Sequence, residues 1–354
     1  MNYIGSKLRL SDWIIETITK TYTKLSTDYS PSKPLSQITF AELFAGTAII
    51  SRKLKSQVSQ IIANDLEPYS YVLLKNYIEN TKVIPNERIV FLIEELNNLS
   101  IKNQDNKEKN VFIYQNYCQG SGSERLYFSD DNGKKIDVIR QKLEEWKVNN
   151  FVSQSEYYFL LASLLESADK VANTASVYGA FLKQLKKSAQ KNLVLSPAHF
   201  PKPQNGHNQE NQVFREDANE LIQKIKGDIL YLDPPYNARQ YGANYHLLNT
   251  IALYDNFEPK GKTGLREYER SKYCQKNEVE TAFEDLIKNA DFEFIFLSYN
   301  NEGLMNLETI KKIMSKYGSY SLEKTEYQRF KADKDINREH KANATMEYLH
   351  ILRK

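Results

Sequence analysis

The chain has 354 residues, 41% hydrophobic and 26% charged, enough to bury a large core in one big domain or two modest ones and too apolar for wholesale disorder. A net charge of +3 permits an anionic partner without identifying one, so any basic face must come from local clustering. Cys118 and Cys274 stand too far apart for a zinc ribbon or a disulfide framework, and the sequence "MNYIGSKLRLSDWIIETI" has neither an apolar core nor a cleavage site for export.

Taken in chain order, Leu10, Trp13, Ile14 and Ile18 recur at helical spacing over residues 6–25. After the connection "DYSPSKPLS", "QITFAELFAGTAIISRKL" reads as strand, Gly46 turn and a helix from about Thr47. "QIIANDLEPYSYVLLKNYI" repeats the unit, with a strand ending at Asn64-Asp65 and a helix after Pro68. Two such units in succession imply a parallel α/β sheet that binds ligands at its carboxyl edge. Residues 101–200 are more polar and irregular, with Gly, Ser and Asn-Gly turn signals around short aromatic segments, then the helical "SEYYFLLASLLESADKVANTA". This stretch reads as an insertion, dividing the chain into 1–100, 101–200 and 201–354. From Val213 the strand–helix rhythm resumes in "VFREDANELIQKI", "GDILYLDPPY" and "FEFIFLSYNNEG". "ATMEYLHILRK" closes the chain as a strand able to pair with "YSLEKTEYQRF". No apolar run approaches the roughly 18 residues of a membrane span, so the expected location is cytoplasmic.

Three strand ends carry the candidate chemistry. Gly46 lets backbone approach a ligand without a Cβ clash, yet neither GxGxxG nor GxxxxGK[ST] is present to cradle phosphate. Asp65 stands 19 residues after Gly46, a spacing that suits a carboxylate on a ribose and equally an N-cap for the following helix. Asp233-Pro234-Pro235-Tyr236 ends an apolar strand in a stiff, extended segment that could hold a carboxylate, a carbonyl and an aromatic face in one arrangement. His199 and His207 lie in a polar loop without metal-ligand spacing, and no metal is expected. Aromatic residues are plentiful, with 24 Tyr and 16 Phe, and some could serve as stacking surfaces for bases.

"FAGT", "NDLEPYS" and "DPPY", each after a strand and in this order, resemble the D12 class of S-adenosylmethionine-dependent adenine-N6 DNA methyltransferases, as does "NYIGSK" at residues 2–7. The resemblance implies a Rossmann-like class I methyltransferase sheet with helices on both faces and a target-recognition insertion at 101–200. It implies S-adenosylmethionine as cofactor, with Tyr3 and Lys7 near its methionine end, Phe44 and Gly46 along the methionine and ribose, Asp65 on the ribose and Asp217 at the cofactor adenine. Lys7 read locally is a solvated lysine, and Asp217 an N-cap for "ANELIQKI". Many relatives carry a second glycine at Ala48, whose methyl group implies tighter cofactor packing.

Asp233 and the Pro234 carbonyl would accept the two hydrogens of the adenine amine, held by the rigid Pro234-Pro235 backbone, while Tyr236 stacks on the flipped base. Asn237, Arg239, Gln240 and Tyr241 would shape the base pocket, with Arg239 alternatively clamping a phosphate. The basic runs at 182–191 and 261–276 suit double-stranded DNA or a merely solvated face. The implied activity is methylation of a short duplex site, protecting DNA from a cognate restriction endonuclease. Solitary action and a silent DNA-binding module are the alternatives. Asp233 disfavours cytosine-N4, RNA and protein-glutamine substrates, which go with Ser or Asn there. The sequence does not itself give the recognition site, but "DPPYNARQYGANYHLLNTI" is similar to enzymes acting on CATG.

Overall fold

The computed structural model describes residues 7–27, 33–80, 84–101, 111–175, 177–199, 210–328 and 344–354. Tyr3 and His207 lie outside them. The chain forms two compact units, one of Gly5–Leu66, Gln204–Gln240 and Arg270–Lys354, the other of Met1–Ile4, Glu67–Pro203 and Tyr241–Glu269.

Among the described residues the first unit holds seven strands: β1 (Thr39–Glu42), β2 (Gln60–Asn64), β3 (Gln212–Phe214), β4 (Lys226–Leu232), β5 (Asp291–Asn300), β6 (Ser319–Gln328) and β7 (Ala344–Arg353). They form one sheet in the order β3-β2-β1-β4-β5-β7-β6. β1 to β5 run parallel, with Ala41 opposite both Ile62 and Leu230 and Leu230 opposite Ile295. β7 is antiparallel to β5 and to β6, so the expected pairing of the last two strands is present. Near-continuous apolar runs in β4 and β5 fit strands covered on both faces. Leu230, Ile295 and Leu297 pack with Phe283, Leu286, Ile310 and Met314 from the helices Val279–Asn289 and Leu307–Met314. Side chains of opposite parity face the other way: the Phe294 ring meets Tyr22 of the helix Ser11–Thr27, centroids 5.6 Å apart.

The second unit is mainly helical, including Pro68–Leu74, Asn86–Asn98, Asp130–Val148, Gln154–Val171 and His246–Leu253. The helix after Pro68 begins with that proline in its first turn, where the missing N–H costs nothing. The irregular character expected for 101–200 is corrected here. Asn132-Gly133 is no turn but lies in the first turns of Asp130–Val148, because Ser129 caps that helix by accepting from the Asn132 N–H. Gly133 is required by packing, since a Cβ there would stand 2.3 Å from Cys118 Sγ and 3.2 Å from Tyr114 Cα. One helix further on, Ser153 and Glu156 form a reciprocal capping box. Asp137, fully buried, accepts the Ile113 and Tyr114 N–H groups at 2.9 Å each and so caps the helix Phe112–Tyr117 from outside.

Candidate active site

The carboxyl ends of β1, β2 and β3 are tied together by one buried side chain. Asn64 donates to the Leu43 carbonyl at 3.1 Å and the Glu216 carbonyl at 3.0 Å, and accepts from the Glu216 N–H at 3.0 Å. This fixes the loop after β1 beside Asp65 and the Glu216-Asp217 corner. Gly46, with φ of 53°, donates its N–H to Asp65 Oδ2 at 2.7 Å. Asp65 therefore braces the glycine loop and is not the cap of the next helix, whose N-cap position is taken by Glu67, with no capping bond from its side chain to the helix. Asp217 does cap its helix, accepting from Asn219 N–H at 2.8 Å.

Ala48 also adopts the left-handed conformation, φ 60° and ψ 31°, and is fully buried. A glycine preference at this position thus has a backbone cause, a left-handed residue costing about 1–2 kcal/mol when it carries a Cβ. The helix Ile49–Leu54 starts only after it. Phe44 keeps partial exposure and packs edge-on against Tyr273, centroids 4.8 Å apart.

At the end of β4, Asp233 lies beside two groups, Tyr236 and Lys7. Tyr236 donates its hydroxyl to Asp233 Oδ1 at 2.6 Å. Lys7 Nζ stands 3.3 Å from the same oxygen, bonds the Tyr236 hydroxyl, and lies 3.6 Å from Glu347 Oε2 on β7. Lys7 is 5% exposed, so it is not the solvated lysine of the local reading. The Tyr236 ring packs against Tyr299, and its carbonyl accepts the Leu304 N–H at 2.8 Å. Burial raises the Asp233 carboxyl above the usual range, opposed by Lys7 and by the Tyr236 hydroxyl. Burial likewise raises Glu347, opposed chiefly by Lys7. Glu42, at the end of β1, is raised to about 8 by burial, against hydrogen bonds from Ser51.

Beyond Tyr236 the predicted substrate residues part company. Asn237 and Arg239 are exposed, the Asn237 side chain accepting the Arg239 N–H at 3.0 Å. Gln240 exchanges hydrogen bonds with the Ser271 backbone, at 2.9 Å and 3.4 Å, which gives it a local bracing role. Tyr241 belongs to the other unit, where its ring stacks on Tyr245 at 6.0 Å.

The basic run at 261–276 is only partly a surface. Tyr273 and Cys274 are buried, and Arg266 is engaged with Asp255 and with the Phe257 ring, while Lys262, Arg270, Lys272 and Lys276 are exposed. In the run at 182–191, Lys186 donates to the Thr174 carbonyl at 2.6 Å; Lys183, Lys187 and Lys191 remain exposed. His199 is an exposed loop residue whose carbonyl accepts from Asn76. Among the described residues no helix is long and apolar enough to cross a membrane.

Glu42, Ser51 and Glu347 were not singled out from the sequence. For Glu347 a signal was present: it shares the strand face of Leu349 and Ile351, both buried, so an acid occupies an apolar parity.

The family described as D12 class N6 adenine-specific DNA methyltransferase matches residues 3–313 of the chain. Among curated proteins, the chain is 58% identical over 354 residues to the Type II methyltransferase M.NlaIII of Neisseria lactamica, covering 100% of this chain and 99% of that protein. It is 40% identical to the Type II methyltransferase M.CviAII of Paramecium bursaria Chlorella virus 1, over 94% of this chain and 93% of that protein. Identity to the Type II methyltransferase M.FokI of Planomicrobium okeanokoites is 39% over 100% of this chain but only 53% of that longer protein.

Proposed function

Because this chain belongs to the D12 class of N6 adenine-specific DNA methyltransferases, we propose that Asp233, Pro234, Pro235 and Tyr236 form its catalytic corner. The reaction is site-specific methylation of adenine N6 in DNA. The observation that carries the residue assignment is the setting of Asp233, at the carboxyl end of a central strand with its carboxyl facing Lys7 and Tyr236.

The amine of adenine is a poor nucleophile because its lone pair is delocalised into the ring. Asp233 and the Pro234 carbonyl accept its two N–H groups and orient the lone pair toward the incoming methyl. Bond formation at N6 releases one proton, and burial, which raises the Asp233 carboxyl, makes it a better acceptor for that proton. Tyr236 stacks on the extruded base, recovering about 1–3 kcal/mol of the unstacking cost.

The donor set at the strand ends fits S-adenosylmethionine. Gly46 and Ala48 place nothing larger than a methyl group on either side of Thr47 in the loop after β1, and Asp65 and Asp217 supply carboxylates at neighbouring strand ends. When bound, that cofactor supplies an electrophilic methyl on a sulfonium. Phe44, Gly46, Asp65 and Asp217 are the residues that would hold it, with Lys7 and Tyr3 toward its methionine end.

We assign sequence reading to the segment 101–200, with exposed Lys183, Lys187, Lys191 and Lys262 as backbone contacts, and Asn237 and Arg239 at the base pocket. The sequence CATG is the first to test. Working in the cytoplasm, the enzyme would protect host DNA from a restriction endonuclease acting on the same site.

Transfer of labelled methyl to unmodified duplex DNA, with the modified base and its context mapped, tests the reading. Wild type is expected to give N6-methyladenine at one short motif, and Asp233→Ala none despite intact folding. Full methylation by Asp233→Ala would refute the assignment.

A further inference from the structure

The last strand places a second acid beside the catalytic corner. Glu347 lies on β7, opposite Asn300 of β5 and Thr325 of β6. It is 6% exposed, and among the described residues its Oε2 has no hydrogen-bond partner. The Lys7 ammonium stands 3.6 Å from that oxygen, and the same ammonium lies 3.3 Å from Asp233 Oδ1. One buried cation therefore faces a buried carboxylate, Glu347, and a half-buried one, Asp233.

This is an expensive arrangement if its only purpose is stability. Desolvating each charge costs several kcal/mol, and a single acid would satisfy Lys7 better than two. The second acid has an electrostatic consequence instead. With Asp233 alone, Lys7 would form a neutral pair and draw the carboxylate fully onto itself. With Glu347 present the ammonium is shared, and the corner keeps one net negative charge when all three groups are ionised. Positive charge builds on adenine N6 as the methyl arrives, so a fixed negative charge there stabilises the transition state more than the ground state.

Resting on the proposed role of Asp233, we propose that Glu347 is a positioning residue for methyl transfer. It shares the Lys7 ammonium with Asp233, so that the catalytic carboxylate stays available to the adenine amine. The groups facing Glu347 are Lys7 from the first turn of the described chain, Asp233 after β4, and Asn300 on β5; Tyr231 and Tyr236 face both carboxylates, and Glu42 at the end of β1 faces Asp233.

The test uses the full chain and single-turnover methyl transfer to unmodified duplex DNA across the pH range, comparing wild type, Glu347→Gln and Glu347→Asp. Glu347→Gln removes the like charge from Asp233 and commits Lys7 to it. Its maximal rate is expected to fall about tenfold or more, and the acid limb of its pH profile to move to lower pH. Binding of S-adenosylmethionine and of DNA should stay within about threefold of wild type. Glu347→Asp keeps the charge and should restore the acid limb. An unmoved acid limb in Glu347→Gln overturns the proposal, whether or not the rate falls; so does a rate loss tracking weakened cofactor binding. Asp233→Ala is run alongside: activity in that variant removes the reading on which the proposal rests, whereas an inactive Asp233→Ala beside a wild-type-like Glu347→Gln removes this proposal alone.

Discussion

Glu42 allows a stability prediction whose size follows from its surroundings. It is 3% exposed at the end of β1, and its Oε2 accepts the Ser51 N–H at 3.0 Å and the Ser51 hydroxyl. Burial, with repulsion from Asp233 and Asp65 adding, raises it from 4.5 to about 8. The folded state thus holds a proton that the unfolded chain gives up near pH 4.5. Its contribution is fully present below that pH and is withdrawn as pH rises toward 8, at about 1.4 kcal/mol per pH unit. Over the full window the loss reaches about 5 kcal/mol. Glu42→Gln fixes a neutral amide of similar shape and removes the titration.

Trp13 and Trp146 are the two tryptophans of the chain and fall in different units. In a Trp146→Phe background, urea unfolding followed by Trp13 fluorescence therefore reports on the sheet-bearing unit. The stability advantage of Glu42→Gln over its parent should grow by about 1.4 kcal/mol per unit between about pH 5 and 8, then level off. A difference constant across that range would refute the reasoning, because it would mean that Glu42 titrates alike in folded and unfolded chains.

Three further outcomes rest on single contacts. Tyr236→Ala should lose stacking of about 1–3 kcal/mol, or roughly 5- to 150-fold in transfer to duplex DNA, and lose least where the target adenine is mispaired. Tyr236→Phe keeps the ring but removes a hydrogen bond that lowers the Asp233 carboxyl, so the acid limb of its pH–rate profile should move to higher pH, opposite to Glu347→Gln. Gly133→Ala drives a methyl into Cys118 Sγ and the Tyr114 backbone, and should lower stability by about 1–3 kcal/mol, read from Trp146 fluorescence in urea.

The parts of the site that were legible in the sequence are those written in consecutive residues. A strand buried on both faces reads as an apolar run, and Asp233-Pro234-Pro235-Tyr236 follows β4 directly, so the corner could be located before any contact was known. Gly46 and Asp65 were legible through their spacing along two adjacent strands. Asn132-Gly133 misled because a local turn signal was outweighed by the Ser129 cap and by close packing against Cys118. Lys7 and Glu347 could not be joined in advance: they come from opposite ends of the chain, and only the antiparallel insertion of β7 beside β5 brings them together. Their burial is a tertiary fact with no local pattern to announce it, apart from the acid on the apolar parity of β7.

The order of the sheet also sets a schedule for its synthesis. β2 pairs with β3 through Ile62 and Gln212, and the Ile61 N–H is satisfied by Asn211, 150 residues later. At about 5–20 residues per second, a ribosome needs roughly 7–30 s to deliver that partner. β1 waits longer still for Ile229 of β4 opposite Phe40. Until then the nascent chain carries two short apolar strands with open edges, the kind of surface that joins to a neighbouring chain on the same message. Slower initiation, which spaces ribosomes apart, should raise the yield of folded enzyme more than slower elongation, which only prolongs the wait.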